Sequence, residues 1–283
     1  MPTFSTPAPI DLAINLQVGA IDIVASDRTD TVVTVVPTNP AKAVDQRGVD
    51  ETKVDFDGER LTITGPRARI SWIGPNQNDS VDVTVELPTA SRFTAEISVG
   101  GVRTAGRLGA TRVKNSTGFV ELATVGDLWV RAGHGNVAVK SAEGAIEVTA
   151  DHGQIRIGEV SGDAGLKASH GSIQIGVAGG DVDAKLSYGD VDIARAHASV
   201  TARTAYGSID LREVSGGSID VQSGYGQVTV GVKPGVAAWL DLSSKDGHVR
   251  NELDGEHAPD GSEQTVAVRA RNRSGNISIQ RAR

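Results

Sequence analysis

Apolar and polar residues alternate along most of this chain, and the alternation restarts at a fixed interval. Each restart follows a glycine. Gly118, Gly135, Gly153, Gly171, Gly189, Gly207 and Gly226 lie 17 to 19 residues apart, and Gly126, Gly144, Gly162, Gly180, Ala198, Gly217 and Gly235 fall between them. After the first set come Val137/Val139, Ile155/Ile157, Ile173/Ile175, Val191/Ile193, Ile209/Leu211 and Val228/Val230. After the second come Leu128/Val130, Ile146/Val148, Ala164/Leu166, Val182/Ala184, Val200/Ala202 and Ile219/Val221. Period-two alternation of mostly β-branched residues predicts strands with one buried face. No helical period interrupts them between Gly118 and Gly226.

The regularity reaches whole segments. "ADHGQIRIGEV" (Ala150 to Val160) returns as "ASHGSIQIGVA", "LSYGDVDIARA" and "TAYGSIDLREV", each 18 residues after the last. A step of about nine residues holds one strand of about five and one turn of about four, so two steps make a coil with two strands. Coils stacked at ~4.8 Å pair each strand with its equivalent in the next coil, which predicts a β-solenoid. The apolar side chains of one coil are worth roughly 1.5–3 kcal/mol each. Ordering its backbone costs about 1–2 kcal/mol per residue, so a coil folds only with neighbours above and below. Glycine at each corner answers a need for positive φ or for close backbone approach.

The ends depart from the period. Residues 1–100 carry longer alternating runs, such as Leu12/Ile14/Leu16 and Val81/Val83/Val85/Leu87. Polar stretches separate them at Pro37 to Glu51 and Gly74 to Ser80 and are expected to be loops. Past Gly226 the period loosens through Asn251 to Glu263 and returns once in "SGNISIQ", Ser274 to Gln280. The expected organisation is an N-terminal β-region over 1–100 continuous with the solenoid, regular repeats over 101–230, and looser coils with a cap over 231–283. No Ser/Gly-rich linker divides them.

Composition narrows the function. The 283 residues include 34 glycines and only 4% aromatics, which suits short strands and tight turns. A net charge of −7 gives no support for nucleic-acid binding, where phosphates call for clustered cations. The one basic cluster, Arg269, Arg271, Arg273, Arg281 and Arg283, reads as a solvated strand face. With no cysteine, disulfides, thiolate nucleophiles and Cys-ligated zinc are excluded. The N-terminal residues show neither a basic region nor an unbroken apolar run, and no stretch approaches ~18 consecutive apolar residues. The expectation is a cytoplasmic protein without a membrane span.

Repeated "GxIxI" and "YGxIxL" steps, following "GAIDIVASDRTDTVVTV", make the chain resemble the bacterial β-strand-repeat adhesin-like family. These are toastrack-like domains of unknown function, and the resemblance runs from about Asp11 to Gln280. It implies a β-solenoid interaction surface, often outside the cell or attached to its membrane. It supplies no catalytic residues to carry over.

Two constellations invite chemistry. The residue before each first-set glycine forms a column: Thr117, His134, His152, His170, Tyr188, Tyr206, Tyr225, Asp246. His134, His152 and His170 are candidate metal ligands, zinc–imidazole bonds being about 2.0–2.1 Å. Coils ~4.8 Å apart let two neighbours share an ion, whereas a third needs a different rotamer. The other reading is a corner ladder of flat rings, continued by Tyr188, Tyr206 and Tyr225. Asp181, Asp183, Asp190 and Asp192 form an acidic cluster. It suits partner binding or plain solvation; a calcium roll would need "GGxGxD" turns where the chain has "SHGS" and "SYGD". No phosphate loop leading into a helix, HExxH or nucleophile elbow occurs.

The expected protein is therefore an all-β, single-chain β-solenoid acting as a non-enzymatic scaffold, with no cofactor. It presents a rigid acidic surface to an unknown protein or glycan partner and is able to stack end to end as a homo-oligomer. The alternative is a metal-dependent or carbohydrate-active β-helix enzyme.

Overall fold

Stacked strands, most of them parallel, make up the greater part of the computed structural model, which describes residues 2–66, 79–253 and 265–282. The chain divides into two compact units, one running through Val139 and one from Lys140.

In the first unit the elements are β1 (Thr3–Ser5), β2 (Asp11–Ser26), β3 (Asp30–Pro37), α1 (Ala43–Glu51), β4 (Lys53–Phe56), β5 (Arg60–Thr64), β6 (Ser80–Pro88), β7 (Arg92–Ala105), β8 (Thr111–Thr117), β9 (Val120–Val125) and β10 (Leu128–His134). The layers do not follow chain order. β2 pairs in parallel with β7 on one side and with β5 and β6 on the other, so β2, the first long strand, fills the second layer. β5 and β6 form the layer beyond it and are covered by antiparallel partners, β4 on β5 and β3 on β6, with β1 on β3. Those strands pair an edge that would otherwise template other chains.

The stretch from Pro37 to Glu51, expected as loop, contains the nine-residue helix α1. Its polar sequence hides it because its buried residues are Asp45 and Gly48. The Asp45 carboxylate accepts backbone N–H groups from Asn39 and Ser80 at 3.1 and 3.2 Å. Gly48 packs so closely on Asp79 and Val81 that a Cβ would stand 2.9 and 3.0 Å from them. Of the second polar stretch, Gly74 to Asn78 lie outside the described residues, as do Asp254 to Glu263 and Arg283.

β11 (Val137–Ala142) is followed in the second unit by the regular coils: β12 (Ile146–His152), β13 (Ile155–Val160), β14 (Ala164–His170), β15 (Ile173–Ala178), β16 (Val182–Tyr188), β17 (Val191–Ala196), β18 (Val200–Tyr206), β19 (Ile209–Val214), β20 (Gly217–Tyr225) and β21 (Val228–Val232). Even strands pair with even and odd with odd, in parallel and in register, with one shift between Leu211 and Val214 where β19 meets β21. Strands of 7 and 6 residues replace the expected five, and corners shrink to two or three residues. The ladder runs through the glycine corner, where Gly153 N–H donates to His170 O and Ile155 N–H to Ser172 O, both at 2.9 Å. Inward residues such as Ile155, Ile157, Leu166 and Ile173 are at most 1% exposed and form a thin aliphatic core between the two strand rows.

At its far end the second unit also breaks chain order. β22 (Ala237–Asp246) and β23 (Val249–Asn251) are outermost, and β24 (Thr265–Ser274) and β25 (Ile277–Arg281) fit between them and β20/β21. The four residues between Val232 and Ala237 skip one layer, which a reach of roughly 3.3–3.6 Å per residue permits. Polar side chains lock this order. Asn272 Nδ2 donates to the Gly226 carbonyl and Ser244 Oγ to the Gly275 carbonyl, both at 2.8 Å. Arg271 donates to Asp241 at 2.6 Å and holds that carboxyl below its ordinary range.

Candidate functional site

Register decides which side chains share a row, and the rings form one exposed row. The pairs His152↔His170, His170↔Tyr188, Tyr188↔Tyr206 and Tyr206↔Tyr225 stand directly opposite on neighbouring coils. Their centroids are 4.9, 4.9, 5.0 and 5.0 Å apart, with interplanar angles of 2°, 8°, 3° and 5°. The spacing is the coil rise itself, so a flat ring at this position stacks without altering the backbone. The three tyrosines are nearly half exposed.

Beyond Tyr225 the column differs from chain order. Ser274, not Asp246, stands opposite Tyr225, and Asp246 lies one layer further out opposite Ser274. The Arg273 guanidinium lies 5.9 Å from the Tyr225 ring centroid and covers the end of the stack. His134 belongs to the first unit, where it ends β10 opposite Thr117 and its carbonyl accepts the Gly118 N–H at 2.8 Å. As placed, His152 and His170 lie in parallel planes, so their in-plane nitrogen lone pairs run side by side and do not meet at one point. Among the described residues no three His, Asp or Glu side chains are grouped to hold a metal ion.

The four aspartates split into two kinds. Asp181 Oδ1 accepts the Ser199 N–H at 3.0 Å, and Asp190 Oδ1 accepts the Ser208 N–H at 2.7 Å. Asp163 Oδ1 does the same for the Asp181 N–H at 3.0 Å. These carboxylates cap the turn of the next coil. Asp183 pairs with Lys185 at 2.6 Å, and Asp192 pairs with Arg212. On the odd strands Asp192 and Asp210 stand in register, and the Asp210 carboxyl is pushed above its ordinary range. Burial contributes most, then the Asp192 charge, with Arg212 opposing.

A raised folded-state value means the fold disfavours the ionised carboxylate. The penalty is absent below the unfolded pKa of about 3.9 and appears as pH rises through the folded value. Asp210→Asn is therefore expected to raise the melting temperature at pH 7 and to leave it unchanged near pH 3. The gain should be small, ~0.5 kcal/mol, because the side chain is nearly half exposed and screened. Thermal melts at the two pH values check this, and an equal gain at both would contradict it.

A second row, Lys167, Lys185 and Arg203, is not among the residues expected from the repeat, although its signal is the same 18-residue spacing. These cations stand opposite one another on β14, β16 and β18 and point outward from the even-strand face. Lys185 and Arg203 have carboxylates at 2.6 and 3.7 Å, on Asp183 and Asp220.

Stacked two-strand coils, a thin aliphatic core and exposed in-register rows define an all-β solenoid repeat protein. The chain belongs to the family described as Toastrack DUF4097, which matches residues 11–282. No curated protein matches the sequence. Among solved structures it is similar to a "putative adhesin" from Parabacteroides distasonis (15% identity, 98% and 95% of the two chains covered, TM-score 0.35). It is also similar to one from Bacteroides fragilis (14%, 98% and 95%, 0.33) and to a "putative cell adhesion protein" from Clostridium sporogenes (12%, 99% and 98%, 0.21). Among the described residues no helix is long and apolar enough to cross a membrane.

Proposed function

We propose that this protein is a non-enzymatic, adhesin-like scaffold that holds an extended partner against a rigid β surface. The observation behind this reading is the unbroken ladder of five rings, one per coil at 4.9–5.0 Å. Such a ladder repeats one chemical group at constant pitch, which suits a repeating partner, protein or glycan, better than a single small molecule. The strands beneath are paired in parallel on both sides, so little ordering entropy is lost when a partner binds. Asp181, Asp183, Asp190 and Asp192 are proposed to contribute to the presented surface, Asp183 and Asp192 together with their cations. The cysteine-free composition is compatible with a reducing compartment, and the cytoplasm is the placement proposed.

Binding to panels of proteins and glycans, with the ligand analysed afterwards, tests the reading. Saturable binding that leaves the ligand unchanged is expected. It should weaken in a Tyr188→Ala/Tyr206→Ala double variant or on charge reversal of the four aspartates. Turnover of a glycan by the wild type, or stoichiometric metal that is lost in His152→Ala, would overturn it in favour of a β-helix enzyme.

A further inference from the structure

We infer that the outermost layer of the second unit, β22 with β23, is a self-association surface. A second copy of this chain docks on it edge to edge, about a two-fold axis through Leu242 and Asn251. This goes beyond the scaffold reading above and does not depend on it.

The layer is left open. Among the described residues β22 pairs only with β24 and β23 only with β25, so the other edge of each strand carries no partner. The core is open there too. Val266, Val268 and Ala270 of β24 are at most 1% exposed, whereas Ala238, Leu240 and Leu242, which stand opposite them on β22, are only half-buried. Trp239 and Val249 are exposed. A ten-residue edge with such side chains is a template for another strand.

The occupant is a second β22 because the first unit offers no receiving edge. There the layer of β5 and β6 already has antiparallel partners, β4 and β3. Head-to-tail growth therefore lacks its other half, and contact between two identical edges closes as a two-fold dimer. Both strands share one centre. Counted from the corner at Asp246 to His248, the inward residues are Ser244, Leu242 and Leu240 on β22, and Val249 and Asn251 on β23. Leu242 and Asn251 are each second in their row, so a single axis passes through both.

Charge selects this register. Antiparallel pairing about the axis sets Leu242 opposite its own copy, Leu240 opposite Ser244 and Asp241 opposite Ser243. It also sets the outward Trp239 ring of each copy opposite Lys245 of the other, a cation–π pair. On the β23 side Arg250 of each copy meets Glu252 of the other. Glu252 continues the ladder, its N–H donating to Ile279 O at 2.8 Å. The ion pair that Arg250 makes with Glu252 of its own chain, at 3.5 Å, is kept, so four charges alternate around the axis. Shifting the axis by one residue sets Arg250 against Arg250 in one direction. In the other it sets Asp241 against Asp241 and Glu252 against Glu252. Like charges directly opposite destabilise a ladder, so both shifts are disfavoured.

Sedimentation velocity of the full chain over a concentration series tests the inference. A monomer–dimer equilibrium with no larger species is expected. Arg250→Glu and Glu252→Arg should each weaken the dimer by roughly tenfold or more. The double variant Arg250→Glu/Glu252→Arg should restore it, because the swap re-creates both cross-copy pairs. These side chains are exposed, so the fold tolerates the changes. Leu242→Asp, which sets two carboxylates on the axis, should leave only monomer. Arg156→Glu, on β13 and remote in the layer order, should change nothing. Four results would overturn the inference: a monomer at every concentration, species that grow beyond the dimer, a dimer indifferent to the single charge variants, or a double variant that stays as weak as they are.

Discussion

Gly189→Ala is expected to destabilise the protein by about 3 kcal/mol or more. Gly189 has φ = 135°, a backbone conformation that L residues reach only under strain of roughly 1–3 kcal/mol. A methyl group there would also press into the Gly171 carbonyl of the preceding coil. That carbonyl has little freedom to turn away. Gly171 N–H is bonded to Tyr188 O at 3.0 Å, and Gly189 N–H to Tyr206 O at 2.8 Å. Overpacking against a fixed backbone adds roughly 1–3 kcal/mol. Gly165→Ala is the matched control. At Gly165 a Cβ meets nothing closer than the Ile146 carbonyl oxygen at 3.8 Å, and the change should stay within about 0.5 kcal/mol. Urea unfolding of both variants measures the contrast. Equal midpoints would mean that the glycine corners do not carry the stack.

Val268→Asp should release β22, a strand lying more than 20 residues earlier in the chain. Val268 is fully buried in β24, opposite Ile219 of β20 on one side and Leu240 of β22 on the other. An unpaired carboxylate there costs several kcal/mol, enough to detach one layer. Since β22 reaches the stack through β24, its amides from Ala237 to Asp246 should lose protection in hydrogen exchange while β12 to β18 keep theirs. Layers stacked in chain order would put β22 on β20 and leave it protected. Retained protection at β22 would therefore refute the layer order described here.

These two variants divide what is legible in the chain from what is not. Gly189 is legible because the 18-residue interval marks it, and a corner that tolerates only glycine has one sequence solution. The ring row is legible for the same reason, since an in-register stack turns a sequence interval into a vertical spacing. The position of β24 is not legible. Its alternation would pair as well with any free edge, because parallel backbone ladders do not discriminate between strands of similar length. Chain order predicts Asp246 above Tyr225; the structure puts Ser274 there. Helix α1 escapes notice for a different reason: its buried residues are an aspartate and a glycine, so no apolar period announces it. The aspartates look like a free acidic cluster in the sequence, yet turn N–H groups and cations from neighbouring coils or the same strand engage them.

By itself, then, the amino-acid sequence determined the strand periodicity, the glycine corners, the coil length and the ring column, all of which are local rules applied repeatedly. Tertiary structure alone decided which layer lies outermost, how the N-terminal edge is covered and which charges are paired. Those outcomes depend on side chains such as Asn272, Ser244 and Asp45 meeting backbone groups far away in the chain, and no local pattern encodes such meetings.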